Sequence, residues 1–140
     1  MALQLLPCVK AALASCRPVV ALETTILSHG LPYPDNLALS DELGRLLRDA
    51  GCTPATIAVR NGHVAVGLPR PALVDLCRDA AASGRATKCS TRDLPAALAR
   101  TAAEHRRTGA DWWGSTTVAA TARMAARAGV HTFVTGGAGG

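Results

Sequence analysis

Short apolar runs alternate along the chain with longer segments in which apolar residues recur at helical spacing. The runs predict strands at residues 19–22, 56–59, 64–66, just before Lys88, and at 132–135. The helical spacing predicts helices over residues 9–15, 37–50, 72–83 and 118–128, with a further helix beginning at Ser90. Because strands and helices alternate, the predicted fold class is α/β, with a mostly parallel sheet flanked by helices in α/β/α layers.

Turn residues mark the boundaries of these segments. Asn61-Gly62 lies between two apolar runs and predicts an inserted β-hairpin, because both turn residues must take positive φ. A turn and a helix cap are predicted at Pro32, Pro34, Asp35 and Asn36. The helices are expected to end at glycines: Gly51, Gly84 and Gly129. The helix over 37–50 is expected to bury one apolar face, formed by Leu39, Leu43, Leu46, Leu47 and Ala50.

The composition indicates an aliphatic core and a reducing compartment. Of the 140 residues, 49% are hydrophobic but only 3% aromatic, so alanine, valine and leucine must form the core. The five cysteines contain no C-x-x-C pair, which predicts free thiols and a cytoplasmic protein, with a functional thiol at Cys89 as the alternative. No apolar stretch reaches the roughly 18 residues of a membrane helix. The first 20 residues are interpreted as a helix leading into a strand, and organelle targeting stays open as an alternative.

The net charge of +5 allows two interpretations. It can come from arginine-rich helix faces that are simply solvated, or it can attract a phosphorylated small molecule. A nucleic-acid surface is disfavoured, because the basic residues are scattered and few aromatic side chains could stack on bases.

Glu23 is the first candidate for chemistry. It follows the apolar run 19–22 directly, and ligands of α/β proteins bind at such strand ends. A half-buried carboxyl group there can donate a proton during a reaction. The alternative is a structural carboxylate that caps a helix or pairs with an arginine.

Weaker signals lie further along the chain. Only two of the 15 basic residues are lysines, Lys10 and Lys88. In a chain that otherwise uses arginine, Lys88 is a candidate anion ligand because of its compact ammonium, and the alternative is an ordinary surface cation. Residues 114–117 precede a predicted helix and could offer backbone N–H groups to a phosphate, or merely cap the helix. The glycine run 136–140 is similar to a phosphate loop, but that pattern is unspecific. His29 is expected to be structural, and no metal-ligand spacing is found in this chain.

Three segments, in order, resemble the pseudouridine-5′-phosphate glycosidase family. They are V-V-A-L-E-T-T-I-L-S-H-G-L-P-Y-P-D-N at 19–36, K-C-S-T-R-D-L at 88–94, and S-T-T-V-A-A-T at 115–121, which runs on to F-V-T-G-G-A-G-G at the end. The resemblance implies cleavage of the C–C glycosidic bond of pseudouridine 5′-phosphate to uracil and ribose 5-phosphate, with the opened sugar held as an imine on a lysine.

The resemblance also implies roles for individual residues. Glu23 matches the proton donor and Lys88 matches a substrate-binding lysine. Val118 matches a substrate contact made through its backbone, with Thr116 and Thr117 beside it. The family uses a divalent metal, usually Mn²⁺, held by a downstream aspartate, and forms homotrimers. The expected partner is therefore a small phosphorylated substrate, with neither nucleic acid nor membrane.

The sequence departs from the family pattern in two ways. The spacing from Lys88 to Val118 is longer than usual, which predicts a loop insertion around 101–113 or an unusual gene model. Neither the metal-binding aspartate nor the imine-forming lysine is matched, so residues 1–140 are expected to form one incomplete domain that is inactive alone and leaves a sheet edge unpaired. The alternatives are a non-catalytic remnant that binds a phosphorylated nucleoside or acts by assembly with another chain, and an RNA-binding module. The sequence that follows residue 140 would discriminate them.

Overall fold

The alternation of strands and helices expected from the sequence is present in the computed structural model, which describes residues 1–138. The strands are β1 (Leu3–Leu5), β2 (Val19–Leu22), β3 (Thr53–Arg60), β4 (His63–Val66), β5 (Ala86–Cys89), β6 (Trp113–Thr116) and β7 (Thr132–Val134). The α-helices are α1 (Pro7–Ala14), α2 (Asp35–Asp49), α3 (Arg70–Val74), α4 (Leu94–Thr108) and α5 (Val118–Arg127). Two π-helical turns, Ile26–Gly30 and Asp75–Ala80, and a 3-10 turn, Thr91–Asp93, complete the elements. Gly139 and Gly140 of the terminal glycine run lie outside the described residues.

The strands form one mixed sheet in which parallel pairing dominates. The order β1-β4-β3-β2-β7 is extended by β6, which pairs with β3, and by β5, which pairs with β6. The pairs β1–β4, β2–β3, β2–β7 and β5–β6 are parallel, whereas β3–β4 and β3–β6 are antiparallel. Within residues 1–138, β7 has β2 as its only neighbour, so it lies at an open edge of the sheet.

Helices cover both faces of this sheet. On one face, α1, α4 and α5 share a core with alternate residues of the central strands, such as Ala21 and Ile57. On the other face, α3 and the following π-helical turn pack on Ala58 and Trp113, which is fully buried. Because alternate strand residues point to opposite faces, this pattern gives the α/β/α layers that the sequence predicts.

The hairpin prediction is confirmed. The strands β3 and β4 pair antiparallel up to Arg60 and His63, and the two residues between them, Asn61 and Gly62, have φ of 49° and 88°. These values are those of the two-residue turn that Asn-Gly favours.

Gly62→Ala is expected to destabilise the protein more than Gly84→Ala. Both glycines have positive φ, but a Cβ at Gly62 would lie 2.6 Å from the Ala102 Cβ, whereas a Cβ at Gly84 meets nothing within 4 Å. The shared backbone strain costs about 1–2 kcal/mol, and the overlap on α4 should add about 1–3 kcal/mol. Urea unfolding of both variants measures the difference. If both variants lose the same free energy of unfolding, α4 can shift to accommodate the extra Cβ without an energetic cost.

Several expectations about local structure are wrong. Residues 3–5 form strand β1 rather than part of a helix, because so short an apolar run carries no decisive periodicity. Residues 101–108 belong to α4, so the expected loop insertion is not a loop there. Of the residues expected to form the cap of α2, Pro34 is the N-cap, whereas Asn36 lies inside the helix, where its buried amide donates to the carbonyls of Leu27 and Cys77 and accepts from the Leu37 backbone N–H.

The apolar face expected on α2 is only partly buried. The side chain of Leu46 is 50% exposed, Ala50 is exposed, and Leu39 and Leu43 are half-buried. The buried positions of α2 are instead Asn36, Leu37 and Gly44. Among the described helices, none has both the length and the apolar character to cross a membrane.

Candidate active site

The carboxyl ends of β2 and β6 meet at Ile57 of β3. The register places Leu22 of β2 opposite Thr56 and Ser115 of β6 opposite Ala58, and the two strands run in opposite directions. The residues just beyond the two ends therefore come together, although they are about 90 positions apart in the sequence.

Two buried threonines hold these strand ends. The hydroxyls of Thr24 and Thr116 both donate to the Ile57 carbonyl oxygen, at 2.9 and 2.6 Å. The Thr116 backbone N–H donates to the Thr24 hydroxyl at 2.8 Å, and Thr121 of α5 donates to the Thr116 hydroxyl at 2.9 Å. Because every member of this network is buried and hydrogen-bonded, it fixes the residues that follow each strand.

Glu23 lies at the end of β2, half-buried, in the wall of a mostly apolar cavity of about 160 Å³. The cavity is lined by the π-helical turn, α2 and the segment after β7, through residues that include Ile26, Leu39, Leu43 and Val134. The Thr135 hydroxyl donates to Glu23 Oε1 at 2.5 Å. One carboxyl oxygen is thus held in place, and no described residue hydrogen-bonds to the other.

The segment 114–117 differs from its prediction. Residues 114–116 belong to the buried strand β6, so they do not form a loop that presents N–H groups to an anion. Gly114 is needed for close packing, because a Cβ there would lie 3.1 Å from Val59 and 3.2 Å from Ala97. Only Thr117, which precedes α5, and Val118, its first residue, remain at the start of the helix.

Thr117 carries an unsatisfied hydroxyl. Its N–H donates to the Cys89 carbonyl at 3.0 Å, whereas its Oγ1 is buried with no hydrogen-bond partner in residues 1–138. Buried hydroxyls are nearly always satisfied, so this oxygen is a candidate ligand contact. The neighbouring Cys89 thiol is buried, and burial raises its pKa to about 11, which disfavours a nucleophilic role.

Lys88 is exposed on β5, directly opposite Ser115 of β6. No residue in the range 1–138 forms a hydrogen bond or an ion pair with its ammonium. Nearby, Ser28 contacts His29 Nδ1 at 2.6 Å and donates to the Ser115 hydroxyl at 2.7 Å. Desolvation, and secondly the Lys88 ammonium, lower the pKa of His29, which favours its neutral imidazole.

The structure brings these candidates together only in part. Glu23 lines the apolar cavity, but Lys88, Thr116, Thr117 and Val118 do not. The π-helical turn Ile26–Gly30 contacts both regions, with Ile26 and Leu27 at the cavity and Ser28 hydrogen-bonded to Ser115, the register partner of Lys88. The connecting residues Thr24, Ser28 and Thr135 were missed from the sequence, because isolated serines and threonines carry no distinctive pattern.

Within residues 1–138, no group of three or more His, Cys, Asp or Glu side chains could hold a metal ion. The described residues therefore do not fit the manganese site that the family resemblance implies.

Comparison with known proteins gives the family. Residues 8–140 match the family described as indigoidine synthase A like protein. Curated relatives named pseudouridine-5′-phosphate glycosidase include one from Saccharopolyspora erythraea, 51% identical over 94% of this chain and 39% of its own length. Another, from Deinococcus radiodurans, is 48% identical over 99% of this chain and 40% of its own. The chain thus spans about two fifths of the length of these relatives.

Solved structures agree with this assignment. The crystal structure of a prealnumycin C-glycosynthase in complex with ribulose 5-phosphate matches all of this chain over 40% of its own length, with a TM-score of 0.79 and 32% sequence identity. An indigoidine synthase A-like protein from Thermotoga maritima matches 89% of this chain and 37% of its own, with a TM-score of 0.71 and 31% identity. The chain therefore belongs to the indigoidine synthase A-like family, as the resemblance to pseudouridine-5′-phosphate glycosidases indicated.

Proposed function

We propose that this chain carries the proton donor and part of the substrate-binding surface of an enzyme that reversibly cleaves pseudouridine 5′-phosphate to uracil and ribose 5-phosphate. The observation that carries the proposal is the placement of Glu23, half-buried at a strand end, with one oxygen held by Thr135 and an apolar cavity in front of it. The names of relatives about 50% identical support the substrate class.

Glu23 has the features that this reaction requires. The bond to be broken joins two carbons, so its electron pair must leave on the uracil ring and be met there by a proton. Thr135 donates to Oε1, which leaves Oε2 to carry that proton. The largely apolar lining limits the competition of water for the carboxyl group.

The remaining candidates would bind the substrate. Lys88 offers an ammonium without a partner in the described chain, and a phosphate or sugar oxygen is a suitable ligand for it. Thr117 offers its unsatisfied hydroxyl, with Val118 and Thr116 beside it. A ribulose 5-phosphate complex of a structural neighbour supports a sugar phosphate as the ligand class.

The other parts of the proposal come from the family resemblance alone. The imine-forming lysine and the Mn²⁺-binding aspartate would lie in the region that the longer relatives have beyond the match. The complete enzyme would be a cytoplasmic homotrimer, and the five free cysteines fit a reducing compartment.

The proposal is tested in a joined protein, defined here as this chain fused to the part of the Saccharopolyspora erythraea relative that follows the matched region. Uracil release from pseudouridine 5′-phosphate, with Mn²⁺ present, is the measurement, and the intact relative is the positive control. A folded joined protein without turnover would favour a non-catalytic role for this chain.

Lys88→Ala in the joined protein is expected to raise KM with a smaller effect on kcat. A charge-assisted hydrogen bond typically contributes about 1.5–3 kcal/mol, which corresponds to roughly 10- to 150-fold in affinity. Lys88→Arg should restore binding only in part, because a planar guanidinium does not replace a compact ammonium. Lys10→Ala, which removes the other lysine, is the matched control. An unchanged KM for Lys88→Ala would contradict the assigned role.

A further inference from the structure

A chain of hydrogen bonds links His29 to the core of the candidate site. Ser115 is fully buried on β6, and its hydroxyl accepts a hydrogen bond from the buried Ser28 at 2.7 Å. The Thr25 hydroxyl donates to the Ser115 carbonyl oxygen at 3.1 Å, which fixes the π-helical turn on the same strand. The imidazole of His29 is the outer end of this chain, at 2.6 Å from Ser28 Oγ.

The direction of these hydrogen bonds determines the tautomer of His29. Ser28 has a single hydroxyl proton, which is directed at the Ser115 hydroxyl at 2.7 Å and, at 3.3 Å, at the Thr24 carbonyl oxygen rather than at His29. In the hydrogen bond between Ser28 and His29, His29 Nδ1–H is therefore the donor and Ser28 Oγ the acceptor. In the neutral ring Nε2 then carries a lone pair, and nothing in residues 1–138 donates to it.

Lys88 lies on the same side of the sheet as this chain of hydrogen bonds. It is opposite Ser115 in the parallel register of β5 and β6, so the two side chains point to the same face. Because His29 is linked to Ser115 through Ser28, the same face of the sheet carries an exposed cation and an exposed imidazole. Within residues 1–138, neither the Lys88 ammonium nor His29 Nε2 has a hydrogen-bond partner.

We propose that His29, held by Ser28 and Ser115, accepts a hydrogen bond from a sugar hydroxyl of a sugar phosphate whose anionic oxygen is bound by Lys88. This inference rests on the proposed function and deepens it, because it names the residue that selects a sugar phosphate over a bare anion. An ammonium alone would bind any phosphate, whereas Nε2 requires a hydroxyl donor at a fixed distance from the charge. His29 is thus a specificity-determining residue rather than the structural histidine expected from the sequence.

The test compares two probes on the 140-residue chain, ribose 5-phosphate and inorganic phosphate, with dissociation constants measured by NMR titration. His29→Asn keeps an N–H donor near the position of Nδ1 but removes Nε2. It should weaken ribose 5-phosphate binding about 3- to 10-fold, the effect of one hydrogen bond, and leave inorganic phosphate binding unchanged. His29→Gln, which can place an amide oxygen near the position of Nε2, should restore part of the loss.

Three control variants separate this role from a structural one. Lys88→Ala should weaken the binding of both probes, Ser28→Ala should reproduce the selective loss, and His131→Asn, just before β7, should change neither. If His29→Asn does not fold, Ser28→Ala decides the same question. The proposal would be overturned if His29→Asn weakened the binding of ribose 5-phosphate and inorganic phosphate equally, or left both dissociation constants unchanged. It would also be overturned if ribose 5-phosphate did not bind to the unmodified chain.

The outcome is separate from that of the glycosidase assay, because binding requires no turnover. If the chain binds ribose 5-phosphate selectively but the joined protein releases no uracil, the proposed reaction is contradicted and the role of His29 is supported. If the joined protein releases uracil but His29→Asn weakens both probes equally, the reaction is supported and the role of His29 is contradicted.

Discussion

Glu23→Gln in the joined protein is expected to lower the rate of uracil release about 100- to 10,000-fold, the usual contribution of a general acid. Glutamine has the same shape, and its amide oxygen can accept the hydrogen bond from Thr135 that Oε1 accepts now. The folded structure should therefore persist, while the transferable proton is lost. The measurement is kcat at saturating pseudouridine 5′-phosphate, together with the midpoint of thermal unfolding.

Glu42→Gln is the matched control for this variant. Glu42 is an exposed carboxylate on α2 that pairs with Arg45 at 2.6 Å, away from the lining of the Glu23 cavity. Its loss should leave kcat within about twofold of the unmodified protein, because exposed ion pairs contribute little. If Glu23→Gln also keeps a near-normal kcat, Glu23 is structural and the proposed mechanism loses its proton donor.

The parts of the fold that local chemistry determines were predictable. The bounds of β2 agree with the predicted 19–22, because a short apolar run that follows Pro18 and begins with two β-branched valines favours a buried strand. The turn at Asn61-Gly62 follows from the few residues that tolerate positive φ. At Ser90, the predicted helix start is a capping box, in which the Asp93 carboxylate accepts from the Ser90 backbone N–H at 2.9 Å.

The site was only partly predictable, because its geometry comes from long-range pairing. Glu23 is a candidate through its place after a strand and through the family resemblance, and the structure confirms only that it directly follows β2. That β2 and β6 would meet end to end at Ile57 is not encoded in either local pattern, since it depends on how both strands share β3. The hydroxyl networks of Thr24 and Ser28 were therefore missed, as were the long-range hydrogen bonds of Asn36 to Leu27 and Cys77.

The uncovered face of α2 has a related cause. Helical periodicity identifies which residues prefer burial, but it does not say what buries them. Leu46 of α2 is 50% exposed, and Val134 of the edge strand β7, which lines the same cavity as Glu23, is 44% exposed. Both the apolar surface and the open strand edge are suited to pairing with further polypeptide.

The 140-residue chain alone is expected to release no uracil above background, on the order of a million-fold below the joined protein. The proposed reaction needs an amine to form the imine, and neither lysine of this chain is placed for it. Lys10 lies on α1, which packs on the sheet face opposite α2 and the Glu23 cavity, and Lys88 does not line that cavity.

The assay compares the chain, the joined protein and a mixture of the chain with the separate remainder of the relative, all with Mn²⁺. Turnover should appear in the joined protein, and in the mixture only if the open edge of β7 is paired between chains. Turnover by the chain alone that Lys88→Ala abolishes would contradict the prediction and assign the imine to Lys88. In that case the binding role proposed for Lys88 would have to be given up, because an amine bound covalently to the sugar cannot also serve as the ammonium that holds its phosphate.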